Sequence, residues 1–373
     1  MSEPTAILDA AFQRVSVNPQ QPIVAEVQIS QRADYVCKNL SNRAGVRLLM
    51  ACLLAKIHVP IVDVRKPYTN IEGGDSFSGR AYDEQYITSF INQHNLPCNS
   101  TTAFLTPALR NRNATLVKGL DLVGRPPQLY ITVLDLLDDV YSNRVAADDL
   151  LAEIIRLLIL LRDERQQRIE SLIGALKTTQ DAMPLSSEDI VNLIAQHLSL
   201  KRTSRLPVLL VAAAYNTAAM YLGERVLALQ SHNAADLQTG ALGDVEITLI
   251  DDDRVVTSYE MKDKRVTRED IERALQKLSA SKRRIDNYIF ITTDEIDKEV
   301  QVYARSLYAD TGGIEFVILD CIGFVRHYLH LFHRLRADFL EEYQTLILAE
   351  PESSVSQPVK EAFLSMRQTA EMD

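Results

Sequence analysis

The stretch "GDVEITLIDDDRVVTSYEMK", Gly243–Lys262, decides how this chain folds. It reads as two β-strands, "GDVEITLI" (Gly243–Ile250) and "RVVTSYEMK" (Arg254–Lys262), joined through the acidic turn Asp251–Asp253. Side chains alternate faces along a strand, so Asp244 and Glu246 share one face of the first strand. Glu260 and Lys262 share a face of the second, while Val255, Thr257, Tyr259 and Met261 point the other way. Folding the pair as a hairpin brings Asp244 and Glu260 together at one end, with Lys262 beside them.

Working outward, Thr267 opens a helix with Ile271, Ala274, Leu275 and Leu278 inward and Asp270 as its capping-box partner. "NYIFITT" (Asn287–Thr293) is a continuous apolar run, the pattern of a strand at the buried centre of a sheet. A helix (Asp294–Tyr308), a strand (Ile314–Asp320) and a long helix (Phe324–Leu348) are predicted next. Upstream, Val208–Gln230 reads as an alanine-rich helix with Glu224 on the inward face beside Ala213, Thr217 and Met220. A weak strand signal lies near Leu237. The order implies an α/β core, a mixed sheet flanked by helices, within an α+β chain.

The N-terminal part differs. After a polar arm, "RAGVRLLMACLLAKIH" (Arg43–His58) has helical periodicity, as does Val145–Lys177. Another helix begins at the cap "SSED" (Ser186–Asp189), with Ile190, Leu193, Ile194 and Leu198 on one face. Between Val59 and Arg112 the chain is nonperiodic and rich in turn residues. "KRTSRLP" (Lys201–Pro207) combines basic, hydroxyl and proline residues between two apolar helices, so the boundary is expected there. This gives a mostly helical region 1–205, a core 206–348 and a polar tail 349–373.

Apolar content of 46% with 24% charged residues over 373 residues is ordinary for a globular protein with a sizeable core. "LLAEIIRLLILL" (Leu150–Leu161) contains Glu153 and Arg156 and is too short to span a bilayer, and no signal-peptide pattern opens the chain. Cys37, Cys52, Cys98 and Cys321 form no CxxC pair, which argues against a zinc site or disulfide framework and fits a reducing cytoplasm. A net charge of −10 argues against general polyanion binding but allows a local basic lining.

Two carboxylates and a lysine at one end of a sheet are the equipment of phosphodiester hydrolysis. A hard cation such as Mg²⁺ takes one or two carboxylates, a carbonyl and several waters. It polarises phosphoryl oxygens, while a nearby lysine orients the attacking water and offsets developing charge. "GDVEI" followed by "YEMK" resembles the PD-(D/E)xK nuclease signature, with Gly243 where that signature has proline. The resemblance implies that Asp244 and Glu260 ligate metal, the Met261 carbonyl contributes, and Lys262 acts on water. It also implies Glu224 as an extra ligand, with a salt bridge to Lys262 as the alternative; Glu246 is the weaker candidate. The segment "IVDVRKPYTNIEGGDSFSGRAYDEQYITSFINQHNLPCNSTTAFLTPALRN" (Ile61–Asn111) is similar to the N-terminal region of SacI-type restriction endonucleases. That likeness implies Mg²⁺-dependent cleavage of double-stranded DNA at a short palindrome by a homodimer.

Base readout favours Arg on guanine and Asn or Gln on adenine. The segment at about 61–113 supplies Arg65, Lys66, Asn70, Arg80, Arg110 and Arg112, with Tyr68 and Tyr82 interleaved. Taken singly, its cations are expected to pair with Asp63, Asp75, Asp83 and Glu84; taken together, the segment is expected to contact DNA. Lys264 and Arg265, together with "SKRR" (Ser281–Arg284), flank the carboxylates as candidate phosphate contacts. His327, His330 and His333 read as packing or surface residues. The rival readings are a repair or modification-dependent nuclease and a nuclease-fold module that binds DNA or protein without cutting.

Overall fold

The structure, a computed structural model, describes residues 3–39, 42–99, 101–177, 184–229, 241–281 and 284–372. Its contacts divide the chain into two compact units, Met1–Arg168 and Ile169–Asp373. The sequence placed this boundary at 205/206, about a helix later. The difference arises because the helix after "SSED" buries its apolar face against elements from the far end of the chain.

The first unit is helical: α1 (Pro4–Ser16), α2 (Val27–Lys38), α3 (Ala44–His58), α4 (Gly79–Tyr82), α5 (Thr88–Gln93), α6 (Pro127–Tyr141) and most of α7 (Ala147–Lys177). Ala44 to Ala55 of α3 are buried without interruption, so this helix forms the centre of the unit. Buried with them is the charged side chain of Arg47, which donates to Asp83 Oδ1 at 2.5 and 2.7 Å. The other Asp83 oxygen accepts from Thr102 Oγ1 and the Ala103 N–H. This network anchors the nonperiodic segment to the core. Between α4 and α5 lies a π-helical turn, Asp83–Ile87, so part of that segment is helical.

The second unit contains α8 (Ser187–Leu198), α9 (Leu206–Leu222), β1 (Glu224–Val226), β2 (Val245–Leu249), β3 (Val255–Lys262), α10 (Arg268–Ser281), β4 (Asn287–Thr292), α11 (Lys298–Asp310), β5 (Glu315–Asp320), α12 (Cys321–Leu331), α13 (Arg336–Ala349) and α14 (Gln357–Met372). The strands form one five-stranded sheet in the order β1-β2-β3-β4-β5. The pairs β1–β2 and β2–β3 are antiparallel, and β3–β4 and β4–β5 are parallel. Parallel neighbours need a crossover, and α10 and α11 supply the two. One face of the sheet packs through Val245, Ile247, Tyr259 and Ile291 against α9, α12 and α13. The other packs through Tyr288, Phe290, Phe316 and Ile318 against α10 and α11. The α/β core is therefore a mixed sheet between two helical layers.

Three local expectations change. The helix predicted to run through Glu224 stops at Leu222, because Gly223 takes a left-handed φ of 68° and its N–H closes onto the Ala219 carbonyl. The predicted helix Phe324–Leu348 is two: α12 starts at Cys321, capped by Asp320, and ends at Leu331 before a 3₁₀ turn leads into α13. The predicted tail contains α14, which buries Val359, Phe363 and Leu364 and packs on α8. The strand signal near Leu237, along with Lys282 and Arg283 of "SKRR", lies outside the described residues.

Candidate active site

Register places the carboxylates. Glu246 pairs with Ser258 and Val245 with Tyr259, so Asp244, just beyond the end of β2, faces Glu260. The Asp244 N–H donates to the Tyr259 carbonyl at 2.7 Å, and its Oδ2 accepts the Met261 N–H at 2.7 Å. In a strand the N–H and C=O of one residue leave on the same edge. The Met261 carbonyl is therefore directed to the side where Asp244 sits.

Gly243 explains the departure from the signature's proline. A Cβ built on it would lie 2.4 Å from the Tyr259 carbonyl oxygen and 2.6 Å from Ser258 Oγ. Only glycine allows this approach of backbone to backbone, and the approach sets the position of Asp244.

Glu260 is mostly buried and surrounded by donors. Its Oε1 pairs with Lys262 Nζ at 2.8 Å. Its Oε2 meets Lys277 Nζ at 3.3 Å and the Tyr288 hydroxyl, which also lies 2.8 Å from the Leu242 carbonyl. Burial opposes ionisation of Glu260, but Lys262, Tyr288 and Lys277 outweigh it and hold the carboxyl below its usual range. Burial likewise disfavours the Lys262 ammonium, and its contacts with Glu260 and Asp270 overcome that, raising its pKa. Both groups are charged at neutral pH.

Lys262 Nζ also lies 3.1 Å from Asp270 Oδ1, on the first turn of α10. Asp270 has the predicted capping role: its Oδ2 accepts from the Thr267 N–H at 2.9 Å and from Thr267 Oγ1 at 2.7 Å. Its contact with Lys262 was not foreseen, nor were those of Lys277 and Tyr288 with Glu260. These partners come from α10 and β4, and no local sequence signal pairs them with β3.

A cleft of about 600 Å³ is lined by Lys262, Lys264, Arg265 and Arg273 and by Asp244, Asp263, Glu269 and Asp270, with Met261, Ser204 and Val208 also in its wall. Lys264 is exposed there, and Arg265 pairs with Glu295 at 2.9 Å. Glu246 turns instead to accept the Leu242 N–H at 3.0 Å.

Glu224 does not join this site. It opens β1 opposite Leu249, four strand residues from Val245, roughly 13 Å along the sheet. Through Leu249 and Ile247 it belongs to the α9 face, whereas Glu260 and Lys262 are on the α10 face. Neither the extra metal-ligand role nor the salt bridge to Lys262 is compatible with that placement.

Among the described residues, no group of three or more His, Cys, Asp or Glu side chains is arranged to hold a metal. Register sets the Asp244 and Glu260 carboxylates opposite each other beside the Met261 backbone, oxygen donors of the kind that a hard cation takes along with its waters. His327, His330 and His333 are exposed, with His330 on Glu188 at 2.9 Å.

In the first unit, Arg65 forms two bonds to Asp63 and stacks 3.1 Å over the Tyr141 ring. Lys66 pairs with Asp75 at 2.8 Å, Arg80 with Glu84 at 2.7 Å, and Arg112 with the Asp121 carbonyl. Pairing with the expected acids thus holds for Arg65, Lys66 and Arg80, whereas Arg112 bonds a backbone carbonyl and Asp83 serves Arg47. Asn70 and Arg110 stand exposed.

Residues 183–293, from the start of α8 to the end of β4, match the family model of the SacI restriction endonuclease C-terminal domain. Over that stretch the second unit is similar to a SacI-type restriction endonuclease domain. The matched stretch contains Asp244, Glu260, Lys262 and Asp270 and lies downstream of Ile61–Asn111, the segment similar to the N-terminal region of SacI-type enzymes. No curated protein matches the chain. No helix among the described residues is long and apolar enough to cross a membrane. A SacI-type domain is that of a restriction endonuclease, whose substrate is DNA.

Proposed function

We propose that this protein is a type II restriction endonuclease that hydrolyses double-stranded DNA at a short palindromic site, with Mg²⁺ as cofactor and as a cytoplasmic homodimer. One observation carries the reading: register sets Asp244 opposite Glu260, and Glu260 pairs with Lys262, at one end of the β2–β3 hairpin within the stretch that matches the SacI domain.

In this reading the PD-(D/E)xK assignment holds with Gly243 in place of proline. Asp244, Glu260 and the Met261 carbonyl hold the cation, which supplies Lewis-acid polarisation of the scissile phosphate. Lys262, ionised and facing the cleft, orients the attacking water and offsets negative charge as the phosphorane forms. Lys264 and Arg265 take flanking phosphates, for which Arg265 exchanges Glu295. Asn70, Arg80 and Arg110, on the exposed surface of the recognition segment, are the candidates for base contacts. Arg65 and Lys66, tied to Asp63 and Asp75, serve chiefly to hold that segment in shape, and Arg112 does so through Asp121.

Incubating the purified chain with plasmid DNA and Mg²⁺ tests the proposal. Discrete fragments with uniform ends are expected, and sequencing those ends gives the site and the cut position. Smears or nicks would make it a general nuclease. Intact DNA that is nevertheless retarded on a gel would make it a binding module.

A further inference from the structure

We infer that Asp270 is a positioning residue for Lys262, an anchor that keeps the ammonium in the cleft once a cation occupies Glu260. The inference rests on the nuclease reading above and adds a role that the signature residues do not supply.

In the structure Lys262 is shared between two carboxylates, Glu260 at 2.8 Å and Asp270 at 3.1 Å. A divalent cation on Glu260 competes directly with the ammonium for the same oxygens, because like charges cannot share a carboxylate edge without cost. Asp270 does not face that competition. Its Oδ2 is taken by the Thr267 N–H and hydroxyl, and its Oδ1 by Lys262 and Arg273 at 2.5 Å. Four donors fix the carboxylate's orientation and occupy its lone pairs, so it is a poor cation ligand and a good fixed partner for a lysine. It is buried, and the first turn of α10 holds it in place.

Direction matters as well. Asp270 and Lys262 both line the cleft, whereas the Glu260 carboxylate is also held by Tyr288, which is buried in the sheet, and by Lys277. A lysine that followed Glu260 alone would be drawn back into the sheet. Held by Asp270 it stays forward, where a scissile phosphate would lie. A flexible four-carbon stem gains the most from such an anchor.

The test is a single-turnover cleavage series on the full chain with saturating enzyme and Mg²⁺, with DNA affinity measured in parallel in Ca²⁺. Asp270→Asn keeps an acceptor for the Thr267 N–H but removes the charge that holds Lys262. It is expected to cut about 10- to 100-fold more slowly, as losses of such outer partners do, with DNA affinity within about twofold of wild type. Asp297→Ala, which removes the side-chain cap of α11, controls for lost helix stability. It should lower the melting temperature and leave the cleavage rate unchanged. Lys262→Ala separates the two levels of the argument. If it is inactive while Asp270→Asn cuts at the wild-type rate, the inference fails and the site reading stands. A fall in Asp270→Asn that appears in affinity rather than rate also overturns the inference. Full activity of Lys262→Ala would overturn both.

Discussion

At the scale of single residues, the site depends on two glycines as much as on its charges. Gly243 lets the backbone before Asp244 lie against Tyr259, and an added Cβ would sit 2.4 Å from that carbonyl oxygen. Gly243→Ala must therefore push the start of β2 away from β3, carrying Asp244 with it. We expect cutting to fall at least about tenfold, as with other displacements of about 1 Å near reacting groups, while the helical first unit melts unchanged. Wild-type cutting by Gly243→Ala would show that the close approach is not needed. Gly223 has the opposite effect on the sequence reading: by ending α9 it moves Glu224 out of the site. Glu224→Gln should cut as fast as wild type, and a loss above about tenfold would return Glu224 to the machinery. The glycine at the C-terminal end of a helix was the available signal. An apolar periodicity that continues past Gly223 masks it in the sequence.

At the scale of elements, legibility followed locality. The hairpin could be read because period-two alternation and a short turn fix which residues face each other, and Asp244 does face Glu260. The caps at Ser186 and Thr267 were equally local, and both are formed. What could not be read was contact between distant elements: Lys277 and Tyr288 on Glu260, Asp270 on Lys262, and α14 on α8. The α8–α14 contact contains a second titratable group. His197 is buried, with Nε2–H donating to the Val359 carbonyl and Nδ1 accepting from the Tyr343 hydroxyl, each at 3.1 Å. Burial pushes its pKa down to about 4. A depressed folded pKa means full stability above the unfolded value of about 6.5, lost as pH falls toward the folded one. Denaturant unfolding of the second unit should lose about 2 kcal/mol between pH 7 and pH 5 from this group. In His197→Phe that slope should flatten, and an unchanged slope would assign the pH dependence to other groups.

At the scale of the whole molecule, a chain with a net charge of −10 sets Lys262, Lys264, Arg265 and Arg273 among Asp244, Asp263, Glu269 and Asp270 in one cleft, within the stretch similar to the SacI domain. Composition pointed away from nucleic acid, and only the placement of a few residues pointed toward it. Lys264 and Arg265 are exposed cations of that lining, and phosphate contacts through them would make DNA binding weaken with salt. The central claim is narrower: Asp244 and Lys262 do the cutting rather than the binding. The most direct measurement is cleavage rate beside DNA affinity for Asp244→Ala and Lys262→Ala, with wild type run in parallel. The account predicts rates at least about a hundredfold below wild type in Mg²⁺, with affinity in Ca²⁺ kept within a few-fold. Cutting at the wild-type rate by either variant would contradict it.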